Sequence, residues 1–121
     1  MPIESRTRVE FYLPVRSDIF AYQATLDWLA DELATSRGGA TTTTPFAGLF
    51  ASASGGALMH DAVRILFCDF QLDMNASSHR LELIEYLETT KTYLLTKLQE
   101  EGIWVVFYSI SRIASADSVQ A

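Results

Sequence analysis

The chain has 121 residues, 49% hydrophobic and 20% charged, which is ordinary for one globular domain of 1–121 with a buried core. Its net charge is −6 and its nine basic residues are scattered singly, so we expect neither nucleic acid nor a membrane as partner, since both favour clustered cations. The one cysteine, Cys68, excludes an intrachain disulfide and suits a cytoplasmic location.

The first half of the chain predicts a strand and then a helix. Apolar and polar residues alternate over Arg8–Arg16, although pairing is expected to end at Pro14, which has no backbone donor. Helical periodicity follows over Asp18–Arg37, beginning at good N-cap residues and stopping at Gly38-Gly39. Trp28 lies opposite the apolar stripe of this helix, which predicts a contact surface or a loop packed over the ring.

Two β-prone segments occupy the middle of the chain. Ala40–Ala51 is interrupted by Pro45 and Gly48, which favours an edge strand with a bulge or kink. Ser52–Asp61 contains two adjacent glycines and predicts a flexible hairpin loop. The strongest β signal, Ala62–Phe70, predicts a central strand.

A longer helix and a last strand complete the chain. The helix is predicted over Ser77–Glu101 with Gly102 as its terminator, and Ile103–Ile110 predicts the strand. The apolar stripe of this helix consists of Leu83, Ile84, Leu87, Leu94, Leu95 and Leu98. The polar remainder, Ser111–Ala121, is expected to fray. The order βαββαβ with right-handed crossovers predicts an α+β fold: a four-stranded antiparallel sheet in the order 4-1-3-2, with both helices on one face.

Two helices leave the second face of such a sheet open. We predict that Val63, Ile65 and Phe67 of the central strand face the helices, which makes the open face apolar. The predicted interface residues are Leu66, Cys68 and Phe70 of the central strand, Trp104 and Val106 of the last strand, and Trp28. Such a patch is large for a monomer, so we expect a homodimer or homotrimer. The alternative is that a tail or the Ser52–Asp61 loop covers it.

Four polar side chains are the candidate ligand-binding residues: Glu10, Tyr12, Arg64 and Tyr108. Glu10 and Arg64 are predicted to be neighbours on the open face, either orienting a ligand in a cavity between subunits or forming a cross-strand pair that fixes register. No catalytic residue can be assigned.

Metal and anion sites find little support in the spacing. The residues of the right type for a divalent cation are His60, Asp61, Asp69, Asp73 and His79. Their spacing fits no metal motif, so we expect no metal and no cofactor. Gly38–Thr44 offers backbone N–H groups and hydroxyls for an anion, but it lacks the lysine and the following helix of a phosphate-binding loop. We therefore interpret this segment as the end of a helix followed by a threonine-rich strand.

In this arrangement, residues 8–112 resemble the ferredoxin-like fold. RNA-recognition domains of that shape carry a basic–glycine–aromatic motif that Val63–Asp69 lacks. PII-like signalling proteins are trimers with a long loop where Ser52–Asp61 is short. Dimeric α/β-barrel proteins, including cofactor-free monooxygenases, pair their open sheet faces, which the apolar open face resembles. The segment Gly38–Thr41 after an amphipathic helix also resembles small uncharacterised bacterial proteins of this architecture.

These features favour a homo-oligomeric, non-enzymatic module that binds a small molecule or a protein partner. The alternative is a cofactor-independent enzyme, monooxygenase- or isomerase-like, with an active site between sheet and helices. A closed cavity lined by the four ligand-binding candidates would favour a ligand binder or an enzyme, whereas a solid apolar interface would favour a structural role.

Overall fold

The computed structural model describes residues 3–51 and 58–114. In that part of the chain, five strands and two helices follow one another in the order β1 (Ile3–Pro14), α1 (Tyr22–Arg37), β2 (Thr41–Thr42), β3 (Phe46–Ala51), β4 (Leu58–Phe70), α2 (Ser77–Leu98) and β5 (Trp104–Ile113).

The described strands form one antiparallel sheet in the order β2-β4-β1-β5, with β3 also paired to β4. Strands β2 and β3 are two pieces of the predicted edge strand, and Pro45 lies in the gap between them. If the two pieces are taken as one strand, the observed order is the predicted 4-1-3-2. The ferredoxin-like α+β fold is therefore confirmed.

The core lies between the helices and one face of the sheet. The alternation in β1 places Val9, Phe11 and Leu13 there, and all three are fully buried. The predicted apolar stripes of both helices pack against them, through Ile19, Tyr22, Leu26, Leu29 and Leu33 from the first helical segment and Leu83, Leu87, Leu94 and Leu98 from α2. The 3.6-residue periodicity therefore identified the buried helix faces correctly.

The predicted orientation of the central strand is wrong. Leu66, Cys68 and Phe70 face the helices, and at 3%, 2% and 0% exposure they belong to the core. The reason is the register with β1, which aligns Phe11 with Leu66 and Val9 with Cys68 on the same face. Leu66, Cys68 and Phe70 are therefore not open-face interface residues, and Ile65 takes the open side.

Both helices are shorter than predicted. Helix α1 begins at Tyr22, with no side-chain cap, while Asp18 accepts hydrogen bonds from Arg16 instead. Helix α2 ends at Leu98, because Gln99 adopts a left-handed conformation with φ of 54° and donates its backbone N–H to the Leu95 carbonyl. Gly102 is therefore not the terminator.

Strands β1, β4 and β5 are longer than predicted. Strand β1 begins at Ile3, which pairs with Ile113, so Ser111–Ile113 continues β5 and does not fray. Strand β4 begins at Leu58, within the segment predicted to be a hairpin loop. The rest of that loop, residues 52–57, and the C-terminal residues 115–121 lie outside the described part of the chain.

Candidate functional site on the open sheet face

Alternate residues of β1, β4 and β5 project from the sheet face that the helices leave open. Their register divides this face into two halves along the strands. The aromatic half consists of Glu10, Tyr12, Ile65, Phe67, Trp104, Val106 and Tyr108. The arginine half consists of Glu4, Arg6, Arg8, Asp69 and Arg112.

The aromatic half exposes large apolar side chains. Trp104 is 58% exposed, Tyr108 43% and Val106 36%. The rings of Tyr12 and Trp104 meet edge to face across the β1–β5 pair, with centroids 5.8 Å apart. The predicted interface residues Trp104 and Val106 thus lie on the open face, next to two of the predicted ligand-binding tyrosines.

Glu10 holds two of those tyrosines together. The Tyr12 hydroxyl donates to Oε1 of Glu10 at 2.8 Å, and the Tyr108 hydroxyl donates to Oε2 at 2.6 Å. These hydrogen bonds raise the pKa of both phenols, because a phenolate would lose the bond and face a carboxylate. Both tyrosines are therefore protonated donors at neutral pH.

The fourth predicted ligand-binding residue, Arg64, lies elsewhere. It aligns with Leu13 on the helix-covered side of the sheet, so the predicted pair with Glu10 does not form. The cause is the reversed orientation of β4. Nε of Arg64 is buried without a hydrogen-bond partner among the described residues. Glu10, Tyr12 and Tyr108 come together, and Arg64 does not join them.

The arginine half is a network of ion pairs. Arg8 forms a bidentate ion pair with Asp69: its Nε donates to Oδ1 at 2.7 Å and its Nη2 donates to Oδ2 at 3.0 Å. Arg112 bridges Asp69 and Glu4, and Arg6 donates to Glu4 at 2.9 Å. The Arg8 bond holds the pKa of Asp69 below its usual value, and the Arg112 bond does the same for Glu4.

Sequence reasoning did not find this network, because Asp69 and Arg112 lie far from β1 in the chain. One signal was present: Glu4, Arg6, Arg8 and Glu10 alternate along β1 and therefore share one face. The two halves also touch, since the Arg8 guanidinium lies 4.9 Å from the centre of the Phe67 ring.

A cleft of about 380 Å³ lies beside the arginine half, against the connection between α1 and β2. Arg6, Arg37 and Arg112 line it together with Gly38–Thr41 and Asp69. The connection itself follows the favoured prediction: Gly38 has φ of 93° and donates its N–H to the Ala34 carbonyl, which ends α1.

Trp28 lies on the helix layer and not on the open face. It is 37% exposed, and its ring stacks on Tyr93 of α2 with centroids 4.4 Å apart. The ring of Trp28 therefore packs against a side chain of the neighbouring helix, and the contact surface predicted at Trp28 stays a prediction.

The remaining candidates have structural surroundings. Burial raises the pKa of Cys68 to about 11, so the thiol is unreactive at neutral pH. His79 accepts the backbone N–H of Asp73 through Nδ1, at 3.0 Å, in the turn before α2. Among the described residues, no group of three or more histidine, cysteine or acidic side chains could hold a metal ion. The side chains of His60 and Asp61 lie outside the described part.

Comparison with known proteins identifies a fold and no family. The sequence matches no protein-family model and no curated protein. The solved structure of CutA from Synechococcus elongatus PCC7942 is similar, with a TM-score of 0.51 at 10% sequence identity, covering 98% of this chain and 88% of that one. This similarity supports the ferredoxin-like architecture over nearly the whole chain.

Neither described helix combines the length and apolar character that crossing a membrane requires.

Proposed function

We propose that the protein is a non-enzymatic, homo-oligomeric binding module whose open sheet face packs against a second copy of the chain. The observation that carries this proposal is the aromatic half, where Trp104, Val106 and Tyr108 are each more than one third exposed. Exposed aromatic side chains on a sheet face that neither described helix covers are typical of protein interfaces. The lone Cys68 suits a reducing cytoplasm.

The size of the face supports a copy of the same chain as the occupant. The three long strands β1, β4 and β5, about 4.8 Å apart and about 34 Å long, present roughly 500 Å², and the short edge pieces β2 and β3 add to this area. Two such faces would bury roughly 1,000 Å² or more, which approaches the lower end of the usual range of about 1,200–2,000 Å² for a stable interface.

The charges also support self-association. An interface between two copies brings identical patches together, so a face of one sign would repel itself. Here Arg8 and Arg112 are paired with Asp69 and Glu4 within each copy. The open face can therefore meet its equivalent without a large electrostatic penalty.

The alternative, a cofactor-independent enzyme, has less support. A general base must be free to accept a proton from a substrate. Both oxygens of Glu10 already accept phenol hydrogens, and the raised pKa values of Tyr12 and Tyr108 keep those groups protonated.

Sedimentation velocity over a range of protein concentrations tests the proposal. The wild type is expected to sediment as a dimer or larger assembly, and Trp104→Ser is expected to shift it towards monomer. Leu81→Ser is the matched control, because Leu81 on α2 is also 58% exposed. A wild type that is monomeric throughout, or two variants that change the mass equally, would contradict the proposal.

A further inference from the structure

The cleft beside the arginine half concentrates positive charge in an acidic protein. Three of the nine basic residues, Arg6, Arg37 and Arg112, line it, and a fourth, Arg8, pairs with Asp69, the one carboxylate among the described lining residues. Glu4 pairs with Arg6 and Arg112 from outside the lining. These four arginines and two carboxylates leave two positive charges in excess, although the whole chain carries −6.

The arginines of the cleft keep donors for a ligand. A guanidinium group has five N–H donors in a fixed fork. Arg6 uses its donors on the Ser5 carbonyl and Glu4, and Arg112 uses its donors on Glu4 and Asp69. Each group thus has N–H donors left over, and the ion pairs hold both side chains in place.

Arg37 is positioned without a carboxylate. Its guanidinium lies 4.7 Å from the Phe70 ring centre and 4.8 Å from that of Tyr86. Its Nε is buried, and it has no hydrogen-bond partner among the described residues. Two rings therefore fix a cation whose charge no described carboxylate neutralises through an ion pair.

We propose that this arginine cleft binds the phosphoryl group of a small phosphate monoester. Such a group carries nearly two negative charges at neutral pH, which matches the excess of two, and its oxygens suit the guanidinium fork. A volume of about 380 Å³ lies at the small end of ligand pockets, which selects a small metabolite. Phe67 in the lining offers an apolar surface to the organic part. Arg37 and Gly38–Thr41 lie off the open face, whereas Arg6, Arg112 and Phe67 belong both to this cleft and to the face proposed to contact a second copy.

Isothermal titration calorimetry with phenyl phosphate at low salt and pH 7.5 tests the site. We expect saturable binding with one phenyl phosphate per chain, and binding of benzoate, a monoanion of similar shape, weaker by about tenfold or more. Arg37→Gln is expected to weaken phenyl phosphate binding by about tenfold or more. Arg80→Gln is the matched control, because Arg80 on α2 contacts the Met74 carbonyl and lies outside the cleft.

Arg6→Gln gives a second test if Arg37→Gln disturbs the end of α1, and circular dichroism reports whether each variant is folded. Absence of saturable binding to the wild type, or an equal loss in Arg80→Gln, would overturn the site. Benzoate binding as tightly as phenyl phosphate would overturn the phosphoryl assignment. Sedimentation of Arg37→Gln is expected to match the wild type, so the failure of this site and the failure of self-association can be told apart.

Discussion

The two faces of the same sheet differ in what stabilises them. On the helix-covered face, Val9, Phe11 and Phe70 are completely buried, and close packing holds the fold together. On the open face, Glu10 and Asp69 organise their neighbours through hydrogen bonds and ion pairs, while the aromatic rings beside them stay exposed. The covered face therefore provides stability, and the open face is the one to which we assign the proposed contact.

The largest expected difference between the two faces is in how much the removal of an aromatic ring lowers the free energy of unfolding. Phe70→Ala removes a fully buried side chain from the core and is expected to cost about 3–5 kcal/mol of unfolding free energy. Phe67→Ala removes a half-buried ring on the same strand but on the open face, where the ring contacts Arg8. We expect this substitution to lower the free energy of unfolding by about 1 kcal/mol. Urea denaturation at a concentration where the wild type is monomeric measures both.

Equal costs for these two variants would contradict the division between the faces. Sedimentation of Phe67→Ala supplies an independent check, because the proposed interface includes this ring. Weaker self-association is expected for Phe67→Ala, with the fold retained.

Thiol labelling probes how well the covered face is sealed. Burial raises the pKa of Cys68 from its usual 9.0 to about 11, so the thiolate fraction at pH 8 falls by about 100-fold. Iodoacetamide should therefore label native Cys68 about 100-fold more slowly than a thiol placed on the open face by Phe67→Cys in a Cys68→Ala background. Similar rates for the two positions would show that the helices do not seal this face.

A smaller effect is expected from the ion pairs of the open face. The native pKa of Asp69 lies below the usual 3.8. Its ionised form therefore adds to the free energy of unfolding fully above about pH 5, and this stabilisation disappears as the pH falls through the lowered native pKa. Asp69→Asn is expected to cost about 1 kcal/mol at pH 7, with a difference from the wild type that shrinks below about pH 4. Denaturant titrations at pH 7 and pH 3 measure it, and a difference that is the same at both pH values would contradict the assignment.

The sequence was sufficient to predict the fold because the apolar patterns of β1 and of both helices each allow one interpretation. Alternation in β1 and the periodicity of both helices identified side chains that are buried, such as Phe11, Leu29 and Leu94. Alternation could not orient β4, because Ile65 and Phe67 are as apolar as Leu66 and Phe70. Only the register with β1 decides between the two orientations.

The site was predicted in part for the same reason. Glu10 and Tyr12 were placed on the open face because β1 is oriented by its own pattern, whereas Tyr108 joins them through the register of β5 with β1. Arg64 was misplaced along with β4. The arginine half and its cleft depend on cross-strand register and on the path of the chain after Gly38, which local patterns do not determine.

Trp104 fluorescence tests the central claim most directly, namely that a second copy covers the open face. The chain has two tryptophans, so Trp28→Phe leaves Trp104 as the only one, on the sheet face away from the helices. Its emission maximum should shift to shorter wavelength as protein concentration rises, over the same range in which sedimentation reports association. Association with no change in the emission of Trp104 would contradict the proposed interface.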